Sequence, residues 1–167
     1  MGDNVMGADN QQERLDAKWI AGFVDGDGCF TVAVYKSKDR HLKWRVQPEF
    51  IVAQHERDEE LLYKLKDYFG VGRVKVLYRG KNGALKAFRV RGMGNLDVIV
   101  QFFKKYPLKA PSKRRSFGLF VEILEMMGRK EHLTKEGFIR ITKMVSEMNL
   151  ASRILRDYTP DAPKAKI

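Results

Sequence analysis

The sequence predicts an α+β fold: an antiparallel sheet built from two strand pairs, with helices between and after them. Three observations support this. Apolar–polar alternation recurs in four segments grouped in twos, helical stripes separate the groups, and 167 residues suit one domain that buries its own core. Residues 15–150 are expected to form that domain, with a flexible N-terminal tail over 1–14 and a loosely ordered tail over 151–167.

Asp16 is a suitable N-cap for a helix over Ala17–Asp25, whose apolar residues are Trp19, Ile20, Phe23 and Val24; Gly26 and Gly28 should stop it. Cys29–Lys36 alternates as a strand, with Phe30, Val32 and Val34 facing one way and Thr31, Ala33 and Tyr35 the other. A polar turn over Ser37–His41 leads to a second strand, Lys43–Gln54. There Trp44, Val46, Pro48, Phe50 and Val52 share one face, and Arg45, Gln47, Glu49 and Ile51 the other. Pro48 lacks a ladder donor, which predicts an edge position or a bulge.

Arg57–Phe69 reads as an amphipathic helix capped by Asp58, with Leu61, Leu62, Leu65 and Phe69 as its stripe and Gly70 at its C-terminal end. Two further strands, Gly72–Arg79 and Leu85–Arg91, join through a turn at Lys81-Asn82-Gly83. Val74, Val76, Phe88 and Val90 should face inward, and Arg73, Lys75, Arg89 and Arg91 outward. Asn95 is expected to cap a helix that Pro107 ends after Tyr106, and Ser112–Gly128 and Thr134–Asn149 are two more helices. Helices on one side leave the other sheet face open and cationic, a surface that fits a duplex major groove.

The formal net charge is +11. It is clustered: Arg73–Gly94 holds seven cations and no acid, and Lys104–Arg115 holds Lys104, Lys105, Lys109, Lys113, Arg114 and Arg115, again with no acid. Acid-free blocks create a field rather than balanced pairs, which favours a nucleic-acid partner over a merely solvated face. One cysteine excludes an internal disulfide, and with three scattered histidines it cannot make the usual zinc spacings. No signal-peptide pattern and no apolar run of membrane length is found. The expectation is a soluble intracellular protein, in a bacterial or archaeal cytoplasm or an organelle, not secreted and without a membrane partner.

Ile20-Ala21-Gly22-Phe23-Val24-Asp25-Gly26-Asp27-Gly28 is the segment that carries chemistry. Two acids end its helix, where the negative pole of the macrodipole disfavours them by up to about 1 kcal/mol. A bound divalent cation would account for them, since hard cations take carboxylate and carbonyl oxygens; ordinary turn punctuation is the alternative. An EF-hand loop fails, because Cys29 and Phe30 stand where a ligand and a glycine belong. Ala21 and Gly22 are small enough to admit a second helix, or are simple core positions.

Ile20–Gly28 resembles the LAGLIDADG motif of homing endonucleases in its AGFVDGDG spelling, and the element order over about Ala17–Phe120 agrees with that family's αββαββα core. The resemblance implies a sheet curved into a DNA-binding saddle with extra C-terminal helices. With one motif copy, it implies a homodimer with Ile20, Ala21, Gly22, Val24 and Asp25 at the helix–helix interface. It further implies a site-specific, intron-encoded DNA endonuclease. Its double-strand breaks would fall in a long pseudo-palindromic target and leave short 3′ overhangs. Mg2+ would be the cofactor, Mn2+ would substitute, and Ca2+ would bind without supporting cleavage.

Position by position, Asp27 matches the metal-binding acid, and Gly26 would add its backbone carbonyl. Asp25 matches the first acid, which is less directly catalytic. Gln54 resembles the residue that positions water, and Lys113 the active-site lysine, with Arg114 and Arg115 leaving the choice open by a residue. Thr31, Tyr35, Ser37, Arg45, Gln47, Glu49, Arg73, Lys75, Arg89 and Arg91 are candidates for groove contact, and Lys81 and Lys86 for phosphate. Three other readings stay open: an RNA maturase that binds its own intron RNA, a catalytically silent DNA-binding regulator, and a generic basic αβ domain.

Overall fold

A computed structural model describes residues 15–37 and 44–157, with side chains through Met148. The tail expected over 1–14, the turn residues 38–41 and residues 158–167 lie outside this set. The order is α1 (Ala17–Asp27), β1 (Gly28–Lys36), β2 (Trp44–His55), α2 (Glu59–Phe69), β3 (Arg73–Gly80), β4 (Gly83–Val90), α3 (Met93–Lys105), α4 (Pro111–Gly128) and α5 (Lys135–Asp157). The strands form one antiparallel sheet in the order β1-β2-β4-β3. The expected αββαββα core with additional C-terminal helices is therefore present.

The helices cover one sheet face. Phe30 sits at the centre of that layer, its ring 5.1–5.5 Å from those of Phe50, Phe103, Phe117 and Phe120. Ile20, Val24, Phe50, Leu62, Leu65, Phe88, Ile99, Phe120 and Ile123 are all fully buried around it. Pro48 lies in a central strand rather than an edge strand, but β4 pairs with β2 only from Phe50 onward. At Pro48, β2 has a ladder on the β1 side alone, so no β4 partner loses a donor there.

Several boundaries differ from the sequence expectation. α1 runs on through Gly26 to Asp27, and only Gly28 ends it, in an extended conformation. Asp58 makes no side-chain cap; instead a short 3-10 turn over Glu56–Asp58 precedes α2, and His55 Nδ1 accepts from Arg57 N at 3.3 Å. Asn95 is not the cap of α3 either: Gly92, at φ 87°, opens the helix, and Asn95 Nδ2 donates back to Arg91 O. α5 continues to Asp157, past the Asn149 end and into the expected tail, because no glycine or proline interrupts it before Pro160. β3 carries a bulge between Val76 and Tyr78 that leaves Leu77 unpaired.

Gly28 is where α1 passes directly into β1. A Cβ there would sit 2.4 Å from Val24 Cγ1 and 2.9 Å from Val24 O. Gly28→Ala is expected to cost about 1–3 kcal/mol, the usual range for overpacking a tight core site. Denaturant unfolding measures it, and an unchanged midpoint would show that the junction is not tight.

Candidate active site and nucleic-acid interface

The end of α1 presents two carboxylates with different partners. Asp25 turns back into the protomer, accepting from Lys109 N at 2.7 Å and Ala110 N at 3.2 Å, just before α4 begins. Ala110, the N-cap of α4, has no side chain able to cap, so Asp25 supplies the anion that a helix N-terminus favours. Asp27 points outward and is exposed. Gln54, at the end of β2, donates from Nε2 to Asp27 Oδ2 at 2.7 Å. Lys113, in the first turn of α4, donates from Nζ to the backbone oxygen of Gly28. A cation thus lies against the negative pole of α1, where it is favourable.

The three residues expected to be catalytic, Asp27, Gln54 and Lys113, therefore converge although they are distant in sequence. Lys113, rather than Arg114 or Arg115, is the cation that reaches this point; Arg115 pairs with Glu147 instead. Asp25 braces α1 against the entrance of α4 through these two backbone hydrogen bonds.

The site lies at one end of the sheet, where β1 begins and β2 ends, and the sheet face away from the helices is open. In register across that face, Thr31 opposes Glu49, Ala33 opposes Gln47, Tyr35 opposes Arg45, Ile51 opposes Arg89, and Arg73 opposes Arg89. Arg45, Arg73, Lys75 and Arg91 are exposed there, Ser37 follows the end of β1, and Lys81 lies in the exposed β3–β4 turn. His55 ties that turn down through Nε2 and Asn82 O, 2.8 Å apart, a role the sequence did not suggest. Glu49, expected as a groove contact, is 5% exposed and bonds to Arg89 and Arg91. Burial pushes its carboxyl up, but the two guanidinium hydrogen bonds outweigh this and hold it below the usual glutamate range.

Two expectations require correction. Lys86 belongs to the helix-covered side of β4, where it is ion-paired with Glu59, so it is not on the open face. Ile20 and Val24, assigned to an inter-subunit surface, are 0% exposed in the protomer's own core, and Ala21 is also buried. Helical spacing turns these three toward the sheet. The outward stripe is Trp19, Gly22, Phe23 and Gly26, with the Trp19 and Phe23 rings stacked at 5.1 Å. The i, i+3, i+7 offsets from Trp19 carried that signal.

Two predictions follow from these contacts. Asp25→Ala orphans two backbone donors and is expected to cost about 1.5–3 kcal/mol, with faster amide hydrogen exchange at Lys109 and Ala110; protection equal to wild type would count against the brace. Because Glu49 titrates lower in the folded state, its contribution is complete above the ordinary glutamate value and drains as pH falls through the folded value. Unfolding midpoints taken on acidification from neutral pH should fall less steeply for Glu49→Gln than for wild type.

The sequence model of the LAGLIDADG endonuclease family matches residues 20–124. "Probable intron-encoded endonuclease 3" of Neurospora crassa is 31% identical over 133 residues, covering 79% of this chain but 24% of its own length. The chain thus spans about a quarter of that curated relative. The crystal structure of the homing endonuclease I-TnaI superposes with a TM-score of 0.74 at 42% identity, covering 81% of this chain and 88% of that one. I-LtrWI, a LAGLIDADG homing endonuclease crystallised with target DNA, gives 0.74 at 33% identity, covering 89% of this chain and 48% of that one. Among the described residues, no helix is long and apolar enough to cross a membrane. With the motif, the αββαββα order and the family match all falling on the same stretch of chain, this protein belongs to the LAGLIDADG endonuclease family.

Proposed function

We propose that this chain is a site-specific homing endonuclease that acts as a homodimer. It would make Mg2+-dependent double-strand breaks in a long, pseudo-palindromic DNA target and leave short 3′ overhangs. The observation that carries the reading is the convergence of Asp27, Gln54 and Lys113 at the end of a sheet whose other face is open and cationic. I-TnaI, whose chain this one covers over 88% of its length, supports a one-motif protomer. So does the outward stripe of α1: Gly22 and Gly26 have nothing within 4 Å of a built Cβ, which leaves room for a second helix.

The donor chemistry fits a hard divalent cation in kind but is incomplete in one protomer. Among the described residues no group of three or more His, Cys, Asp or Glu side chains could hold a metal. Asp27 offers a carboxylate and the end of α1 offers carbonyl oxygens such as that of Gly26, the ligands Mg2+ takes alongside water and phosphate. A second copy across α1 would bring a second Asp27 to the same place. A cation bound there supplies Lewis acidity toward phosphate and an activated water. Gln54, held on Asp27, orients solvent on the attacking side, and Lys113 adds positive charge where the pentacovalent phosphate accumulates negative charge. The open sheet face holds the duplex, with Arg45, Arg73, Lys75, Arg89 and Arg91 toward the groove and Lys81 toward phosphate.

A selection on a randomised, palindrome-biased duplex library, with Mg2+ beside EDTA, tests the whole reading. Discrete metal-dependent cuts with 3′ overhangs are expected; binding without cutting would redirect the reading to a regulator or an RNA maturase. On a recovered site, Asp27→Asn should retain affinity while cleavage falls by about 10²–10³-fold, the scale of losing one transition-state-stabilising group. Gly22→Leu, at a position with no intrachain neighbour, should sediment as a folded monomer that no longer cuts. A dimeric Gly22→Leu protein would remove α1 as the contact.

A further inference from the structure

One acid sits among the basic side chains of the open face. Arg89 Nε and Nη2 reach the two Glu49 oxygens at 2.6 and 2.7 Å, and Arg91 repeats the pattern at 2.7 and 3.0 Å. Both contacts use the side edge of the guanidinium, consuming Nε–H and one Nη2–H. A guanidinium has five N–H donors, so Glu49 itself leaves the end edge of each arginine, with one hydrogen on each Nη, unoccupied. That edge matches O6 and N7 of guanine in the major groove.

The exposures run the right way for such a use. The Glu49 side chain is 7% exposed, whereas those of Arg89 and Arg91 are 24% and 40% exposed, so the carboxylate lies beneath and the cations lie above. Its oxygens are already occupied by four donors, which leaves no free acceptor to read cytosine directly. Arg73 stands opposite Arg89 in the β3–β4 ladder, so Glu49 also offsets the repulsion among three neighbouring arginines. Gln47 extends the support. In the amide orientation that satisfies both neighbours, it donates to Tyr35 Oη at 2.7 Å, and its oxygen lies 2.9 Å from both Nε and Nη1 of Arg91.

We infer that Glu49 is a positioning residue for DNA specificity, holding Arg89 and Arg91 as a fixed pair of guanine readers without itself touching a base. The inference rests on the DNA-cutting reading above. Ordering two long side chains before DNA arrives lowers the entropy lost on contact and penalises any base that cannot meet the preset edges.

The test has two arms. In the free protein, NMR of the arginine side chains should show two downfield, slowly exchanging Nε–H protons that Glu49→Gln removes; their absence from wild type would overturn the clamp. In the second arm, duplexes bound in Ca2+ are selected from a randomised library. Wild type should prefer two guanines per half-site, and Arg89→Lys and Arg91→Lys should each relax one of them about tenfold, since a bidentate contact becomes a point charge. Glu49→Gln should relax both together without weakening non-specific binding. Both preferences surviving in Glu49→Gln within about twofold would overturn the proposal, as would a change at a position neither lysine variant affects. If wild type selects no duplex at all, the DNA reading itself falls, which the free-protein arm distinguishes from failure of the clamp. The lysine variants keep charge beside Glu49, so their arms stand even if Glu49→Gln does not fold.

Discussion

The C-terminal end of α1 carries the negative pole of a helix dipole, and Asp25 and Asp27 add two carboxylates to it. That concentration of negative charge is tolerated because the chain brings the start of α4 against it. Asp25 takes the two amides before α4, and Lys113 from the first turn of α4 reaches the Gly28 carbonyl. Two helix ends of opposite polarity are thereby docked, and among the described residues Gln54 is the side-chain partner of Asp27. Removing α4 from this position would leave Asp25 without its two amide donors and the α1 end without the Lys113 cation.

The same docking explains how the Asp27–Gln54–Lys113 cluster comes to stand at one end of the sheet. Gly28 admits no side chain, so α1 turns straight into β1 and the acids stand at the start of the sheet. β2 runs back antiparallel and delivers Gln54 to the same end. Helices fill the face around Phe30, which leaves the other face to polar and basic residues, among them Thr31, Tyr35, Arg45, Gln47, Arg73, Lys75 and Arg89. Period-two alternation thus separates the core from the open face with no further device.

Within the open face, electrostatics is managed rather than simply accumulated. Seven cations without an acid in sequence become, in space, a surface containing Glu49 from another strand. Lys86 is withdrawn to the helix side by Glu59, and Arg115 is paired with Glu147. The charge that remains toward solvent is smaller than the composition suggests, but it is better ordered.

Much of the architecture was legible from the sequence. Alternation and helical period located every core element, and local rules flagged Asp25 and Asp27 as a pair whose placement is unfavourable without a partner; only the resemblance to the motif separated Asp27 from Asp25. Boundaries depended on contacts that no window of sequence holds: α1 ends where Val24 crowds Gly28, α3 starts at Gly92 rather than Asn95, and α5 passes Asn149. Which side of α1 faces home had a signal in the spacing of Trp19, Gly22 and Gly26, but only the packing of Ile20 and Val24 within the protomer's core decided it. The pairing of Asp25 with the α4 entrance, of Gln54 with Asp27 and of Glu49 with two arginines belongs to the tertiary structure alone. Sequence patterns encode period and polarity along the chain, whereas these pairs are fixed by strand register and helix docking between residues 27 to 85 positions apart.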